Sequence, residues 1–175
     1  MRKKLSKNIK GFTIIEVLIV LAIAAVIMLI VFLAVPALQR NNRNSQRKSD
    51  VAALLGGFSE YLANNDSKLP NDCSGTNEIT LTRTSGSTKN TAVKVGYYNE
   101  ACDTTAPASG EVQLKTAFSA TAAGTLNSAT EDYVIITPES NCSGDAVIAG
   151  SARQITAVYE VETGTNTYSQ VCQSS

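Results

Sequence analysis

Residues 17–38, Val17 through Leu38, are 22 consecutive positions without a charged or strongly polar side chain, bounded by Glu16 and Gln39. As a helix rising roughly 1.5 Å per residue, the run covers about 33 Å, enough to cross a hydrocarbon core of roughly 30 Å. It argues against a purely soluble globule. Residues 66–175 then supply 110 positions, enough for one modest core and not for two.

Charge is polarised along the chain, although the formal net charge is zero. Arg2, Lys3, Lys4, Lys7 and Lys10 precede the apolar run with no acid among the first eleven residues, and Arg40, Arg43, Arg47 and Lys48 follow it. From residue 66 onward there are 6 basic and 12 acidic residues. That balance disfavours a general nucleic-acid surface, whose affinity rests on clustered Lys and Arg. The same segment holds 30 Ser and Thr, which fits a strand-rich surface facing water outside the cell. The chain has no His, so Ser-His-Asp and Cys-His catalysis and histidine-containing zinc sites are excluded. No Gly-x-x-x-x-Gly-Lys motif is present for nucleotide binding.

Cys73, Cys102, Cys142 and Cys172 are widely spaced, with no Cys-x-x-Cys pair. An even count beyond a membrane segment reads as two disulfides formed in an oxidising compartment. Three connectivities are open. The preferred one joins Cys73 to Cys102 and Cys142 to Cys172, because each closes a loop of about 30 residues, worth roughly 3 kcal/mol, without crossing the other. Asp103 and Asp145 are isolated loop carboxylates, and neither a metal site nor a cofactor is expected.

Helical periodicity continues past the apolar run. Val51, Leu54, Leu55, Phe58 and Leu62 form one stripe of an amphipathic helix. Residues 39–50 are polar without a helix breaker, so one long helix is expected from about Thr13 to Ala63, ended by Asn64, Asn65, Asp66 and Pro70. Pro36 predicts a kink or local unwinding. Gly56 and Gly57 each cost about 1 kcal/mol in a helix relative to Ala and predict close approach of a sheet. Strands are expected at 78–83, 92–98, 111–116, 132–137, 154–161 and 167–172, the last two as a hairpin with Gly164 in the connection. Residues 84–91 and 103–110 read as surface loops. The fold class is α+β.

A basic segment before an apolar run first suggests a secretory signal, for which Val35-Pro36-Ala37 could be the cleavage site, or a plain single-pass anchor. Neither accounts for Glu16. Thr13-x-x-Glu16 fits a capping box, and Glu16 could alternatively reach to lipid headgroups.

Lys10-Gly11-Phe12-Thr13-Ile14-Ile15-Glu16-Val17-Leu18-Ile19-Val20 resembles the prepilin signature of type IV pilins and related pseudopilins, closely over residues 1–40. The resemblance implies the pilin fold: a long kinked helix on a small antiparallel sheet domain with two disulfides. It divides the chain into a leader at 1–11, a transmembrane and polymerisation helix at 12–38, an amphipathic continuation at 39–65 and an extracellular head at 66–175. It further implies cleavage between Gly11 and Phe12 by a membrane-embedded prepilin peptidase, and methylation of the new Phe12 amine. Cleavage leaves 164 residues carrying 10 basic and 15 acidic side chains. Glu16 would then pair with the Phe12 amine of a neighbour, a head-to-tail contact that builds a homopolymeric helical filament. Such a subunit is a single-pass protein of the cytoplasmic membrane as precursor and part of a surface pilus afterwards. An assembly platform and separate ATPases are its partners, and nucleic acid only through DNA uptake. The filament would serve adhesion, motility or DNA uptake, with this chain as major subunit; the alternatives are a minor pilin, a type II secretion pseudopilin or a membrane-anchored extracellular binding domain.

Overall fold

The computed structural model describes residues 11–83, 89–98, 100–103, 110–114 and 132–175, with the backbone alone at 100–103. The basic leader and most of the two expected loops lie outside these residues. By backbone contacts the chain divides into two units, Met1–Gln39 and Arg40–Ser175.

One helix, α1, runs Ile14–Asn64, within a residue of the expected bounds. It carries Pro36 with helical residues on both sides, so the expected local unwinding is absent. Ring closure still leaves the preceding turn one backbone donor short. In the first unit every residue from Gly11 to Val35 is solvent-exposed. This stretch is apolar all round, which is the pattern of a helix that meets apolar neighbours on every side.

In the second unit α1 becomes one-sided. Val51, Leu54, Leu55, Phe58, Tyr61 and Leu62 are buried, while Ala52, Ala53, Ser59 and Glu60 face solvent. The helix closes with Asn65 donating to the Tyr61 carbonyl at 3.0 Å and Ser67 N–H to the Leu62 carbonyl at 2.9 Å. Asp66 and Ser67 take left-handed φ of 53° and 60°, which turns the chain out of the helix.

Ten strands follow among the described residues: β1 (Asp72–Ser74), β2 (Glu78–Thr82), β3 (Thr91–Lys94), β4 (Glu100–Asp103), β5 (Glu111–Leu114), β6 (Val134–Pro138), β7 (Ser140–Ser143), β8 (Ala146–Ala149), β9 (Ile155–Gly164) and β10 (Thr167–Ser174). The six expected strands are all present at shifted ends, and β1, β4, β7 and β8 are additional. β1-β2-β3 form an antiparallel sheet. A five-stranded sheet has the order β10-β9-β6-β5-β4, antiparallel from β10 to β6, with β5 and β4 parallel to β6. β7 and β8 form a separate antiparallel hairpin.

β6 is the central strand of the larger sheet and all five of its residues are buried, as expected for a run of Val, Ile and Ile covered on both faces. Val134 and Ile136 join Ile155, Ala157 and Tyr159 of β9 in the core under Leu54, Phe58 and Tyr61 of α1. Ile135 and Val158 point the other way, against Tyr133, Val147 and Cys172. The alternation Ile155, Ala157, Tyr159, Val161 thus does mark the face toward the helix, but the intervening Thr156, Val158 and Glu160 are buried as well. Cys142 of β7 is bonded to Cys172 of β10, closing a separation of 30 residues. Cys73 is buried in β1, which runs beside β4, and the expected Cys73–Cys102 bond falls on a side chain outside the described residues.

Gly57 explains itself by packing: a Cβ there would lie 2.1 Å from Val93 Cγ2 of β3. The expected close approach of a sheet is therefore found at Gly57. Gly56 faces open space, and nothing in the structure explains it.

Candidate processing and assembly site

The helix begins with a closed capping box. Thr13 is the N-cap: its Oγ1 accepts from Glu16 N–H at 3.3 Å, while Glu16 Oε2 accepts from Thr13 N–H at 3.1 Å and from Thr13 Oγ1 at 3.0 Å. Two donors that the first turn leaves unpaired are satisfied by side chains, and the acid sits at the positive end of the helix dipole. The capping role and a charge role for Glu16 are therefore compatible. The carboxylate is already hydrogen-bonded within its own chain.

Around this box the surface is open. Phe12 is 87% exposed and borders an apolar depression together with Glu16, Val17, Val20 and Leu21. Gly11 is exposed, and a Cβ built on it would meet nothing within 4 Å. No spatial constraint from the described chain requires glycine at this position.

A second constellation, which the sequence reading treated only as a polar stretch of helix, fastens α1 to the sheet within the second unit. Arg43 donates to both carboxylate oxygens of Glu162, from Nε at 2.7 Å and from Nη2 at 2.5 Å. Asn44 reads the backbone of the same residue twice, donating to its carbonyl at 2.8 Å and accepting from its N–H at 2.9 Å. Arg47, 1% exposed, donates to Tyr97 Oη at 2.6 Å, to Asp132 Oδ2 at 2.9 Å and to the Glu160 carbonyl at 3.3 Å. It also lies 3.3 Å from Glu162 Oε1, and its guanidinium carbon is 4.5 Å from the Tyr97 ring centroid. Tyr97 Oη donates to Asp132 Oδ2. Asp50 Oδ2 collects three successive backbone donors, Gly96, Tyr97 and Tyr98, at 3.0, 2.5 and 3.2 Å.

The electrostatics follow this geometry. The Arg43 guanidinium holds the Glu162 carboxyl below its ordinary range, and Glu162 in turn raises Arg43. Burial works against the charge on Arg47, yet the bonds to Tyr97 and Asp132 outweigh it and raise its pKa. Burial pushes the phenols of Tyr97, Tyr98 and Tyr159 up. A buried cation of this kind is tolerated because it is paired and bonded at several atoms. Arg43, Arg47, Asp50 and Leu54 stand at i, i+4, i+7 and i+11. That spacing extends the apolar stripe backward in polar form, and it is the signal by which these residues could have been found.

Pro36 lies inside α1, Asp103 in β4, and Asp145 in the turn between β7 and β8.

Residues 6–32 match the family model of the prokaryotic N-terminal methylation motif. No curated protein and no solved structure matches the chain. The match covers the apolar entrance, and it makes the amino-terminal segment a prepilin-type segment of the kind found in type IV pilin-like and pseudopilin-like precursors. α1 contains a window long and apolar enough to cross a membrane.

Proposed function

We propose that this chain is the precursor of a structural filament subunit, a type IV pilin in the major-subunit role, and not an enzyme. The observation that carries this reading is the coincidence, inside the methylation-motif match at 6–32, of an exposed Gly11–Phe12 bond and a carboxylate at Glu16. Residues 1–11 are the leader, 12–38 the membrane and polymerisation helix, 39–65 its amphipathic continuation and 66–175 the outer head. Prepilin peptidase hydrolyses the Gly11–Phe12 amide on the cytoplasmic side, and the new Phe12 amine is methylated.

The geometry supports a particular order of events. While the subunit waits in the bilayer, Thr13 keeps Glu16 satisfied, so its carboxylate is not stranded in an apolar surround. During assembly Glu16 exchanges part of that bonding for the Phe12 amine of a neighbouring subunit, which sets the axial register of the polymer. Arg43 and Arg47 are engaged by Glu162 and Asp132. These pairs fasten the helix to the sheet, while orientation in the membrane follows the five basic residues of the leader. Extension and retraction are driven by the assembly platform and its ATPases. The Cys73–Cys102 bond completes the head beside the Cys142–Cys172 bond.

Co-expression of the full chain with a prepilin peptidase tests the reading. The expected product is lighter by the mass of residues 1–11 and begins at Phe12. An intact chain, or one cut beside Ala37, would sink it.

A further inference from the structure

The sequence contains two Asn-x-Ser triplets, Asn65-Asp66-Ser67 and Asn141-Cys142-Ser143, the pattern read by N-linked glycosylation enzymes. The structure treats them in opposite ways. Asn65 is 2% exposed, its Nδ2 donates to the carbonyls of Tyr61 and Lys89 at 3.0 and 2.9 Å, and its Oδ1 accepts from Lys89 N–H at 3.2 Å. Its amide nitrogen is committed to closing the helix and cannot act as an acceptor.

Asn141 is presented. It lies in β7, where Asn141 and Ser143 occupy alternate positions and so share one face of the strand, while Glu139 stands in the bend just before β7 with a left-handed φ of 51°. Glu139 and Ser143 are exposed and Asn141 is half-buried. The intervening residues are the ones that hold the strand: Ser140 Oγ donates to the Thr137 carbonyl at 2.6 Å, and Cys142 is bonded to Cys172. Asn141 Oδ1 accepts from Cys142 N–H at 2.8 Å, and no hydrogen bond engages its Nδ2 among the described residues. Two positions before Asn141 stands the exposed carboxylate of Glu139. Asn65 has Ala63 there.

We propose that Asn141 is the acceptor of an N-linked oligosaccharide supplied by a polyprenyl-diphosphate donor. Asn141 Nδ2 attacks the anomeric carbon of the donor. A carbon–nitrogen bond forms, the anomeric carbon–oxygen bond breaks, polyprenyl diphosphate leaves, and Nδ2 gives up one proton to a base of the transferase. Glu139 supplies the recognition charge and the Ser143 hydroxyl engages the transferase as the triplet's third residue. The inference rests on the proposed export of the head from the cytoplasm.

The test is intact-mass analysis of the full-length chain co-expressed in a periplasm-forming host with an acidic-triplet oligosaccharyltransferase and its lipid-linked oligosaccharide. The expected result is a gain of one glycan, lost in Asn141→Gln, reduced at least tenfold in Glu139→Ala and Ser143→Ala, and unchanged in Asn65→Gln. Mass under non-reducing conditions reports whether Cys142 and Cys172 are oxidised, and therefore whether the head was exported. An oxidised chain without glycan, or with glycan on Asn65, overturns the assignment alone. A chain whose cysteines stay reduced overturns the export reading, and this inference with it.

Discussion

The two halves of α1 solve opposite problems with the same backbone. From Gly11 to Val35 the side chains are exposed and apolar, and the described polar bonding is confined to Thr13 and Glu16 at the end. From Arg43 to Leu62 the helix buries one face, and polar residues on that face are tied to the sheet by charged, multi-atom contacts. The first half leaves its apolar side chains uncovered within the chain, and the second is packed and bonded to the sheet. Apolar surface is non-directional and accepts any apolar neighbour, whereas the Arg43, Arg47 and Asp50 contacts fix one geometry.

Substitutions in the two halves should therefore separate assembly from stability. The largest effect is expected from Glu16→Ala, which leaves membrane insertion intact and lowers filament yield at least tenfold by electron microscopy of sheared material. Normal yield would remove the register role. All six tyrosines, Tyr61, Tyr97, Tyr98, Tyr133, Tyr159 and Tyr168, lie in the second unit, so tyrosine fluorescence during urea unfolding in detergent reports that unit alone. Arg47→Ala strips Asp132 and Tyr97 of their cation and should cost about 3 kcal/mol, at the low end for a buried pair because Asp132 retains some solvent access. Leu21→Ala should leave the midpoint unmoved, and a shift there would show that the halves are energetically coupled.

A smaller contrast lies in the paired glycines. Gly57→Val drives atoms into Val93 and should cost about 1–3 kcal/mol, while Gly56→Ala should stabilise by about 1 kcal/mol, since it adds helix propensity in open space. The smallest effect is on pH dependence. The Glu162 carboxyl is held below its ordinary 4.5 by Arg43, so its contribution is complete above that value and fades as pH falls through the lower value in the folded state. Urea midpoints should drop on that acid limb, and Glu162→Gln should flatten it.

The long helix, the six stronger strands and the Cys142–Cys172 bond were legible because each rests on local pattern: a 22-residue apolar run, alternating side chains, and a short loop between cysteines. The capping box was legible for the same reason, since Thr13 and Glu16 are three residues apart. The clamp at residues 43–50 was not, because its partners Glu162, Asp132 and Tyr97 are 50 to 119 positions away. Pattern reading assigns charged residues to solvent, and Arg47 contradicts that only through tertiary pairing. β7 and β8 escaped notice because Ser-Asn-Cys-Ser and Ala-Val-Ile-Ala are short and lack alternation of their own. The parallel edge at β4 and β5 depends on long-range pairing that no local signal encodes.

The covalent link between β7 and β10 also decides how the head bears load. β10 is hydrogen-bonded to β9 along its whole length, but hydrogen bonds in such a ladder can be opened one after another. A pull applied at Ser175 can peel away only Gln173, Ser174 and Ser175 before the tension reaches Cys172 and passes through sulfur into β7. The chain between Cys142 and Cys172 is then shielded from extension, so drag on the head is met by a fixed contour length and not by a strand that unzips.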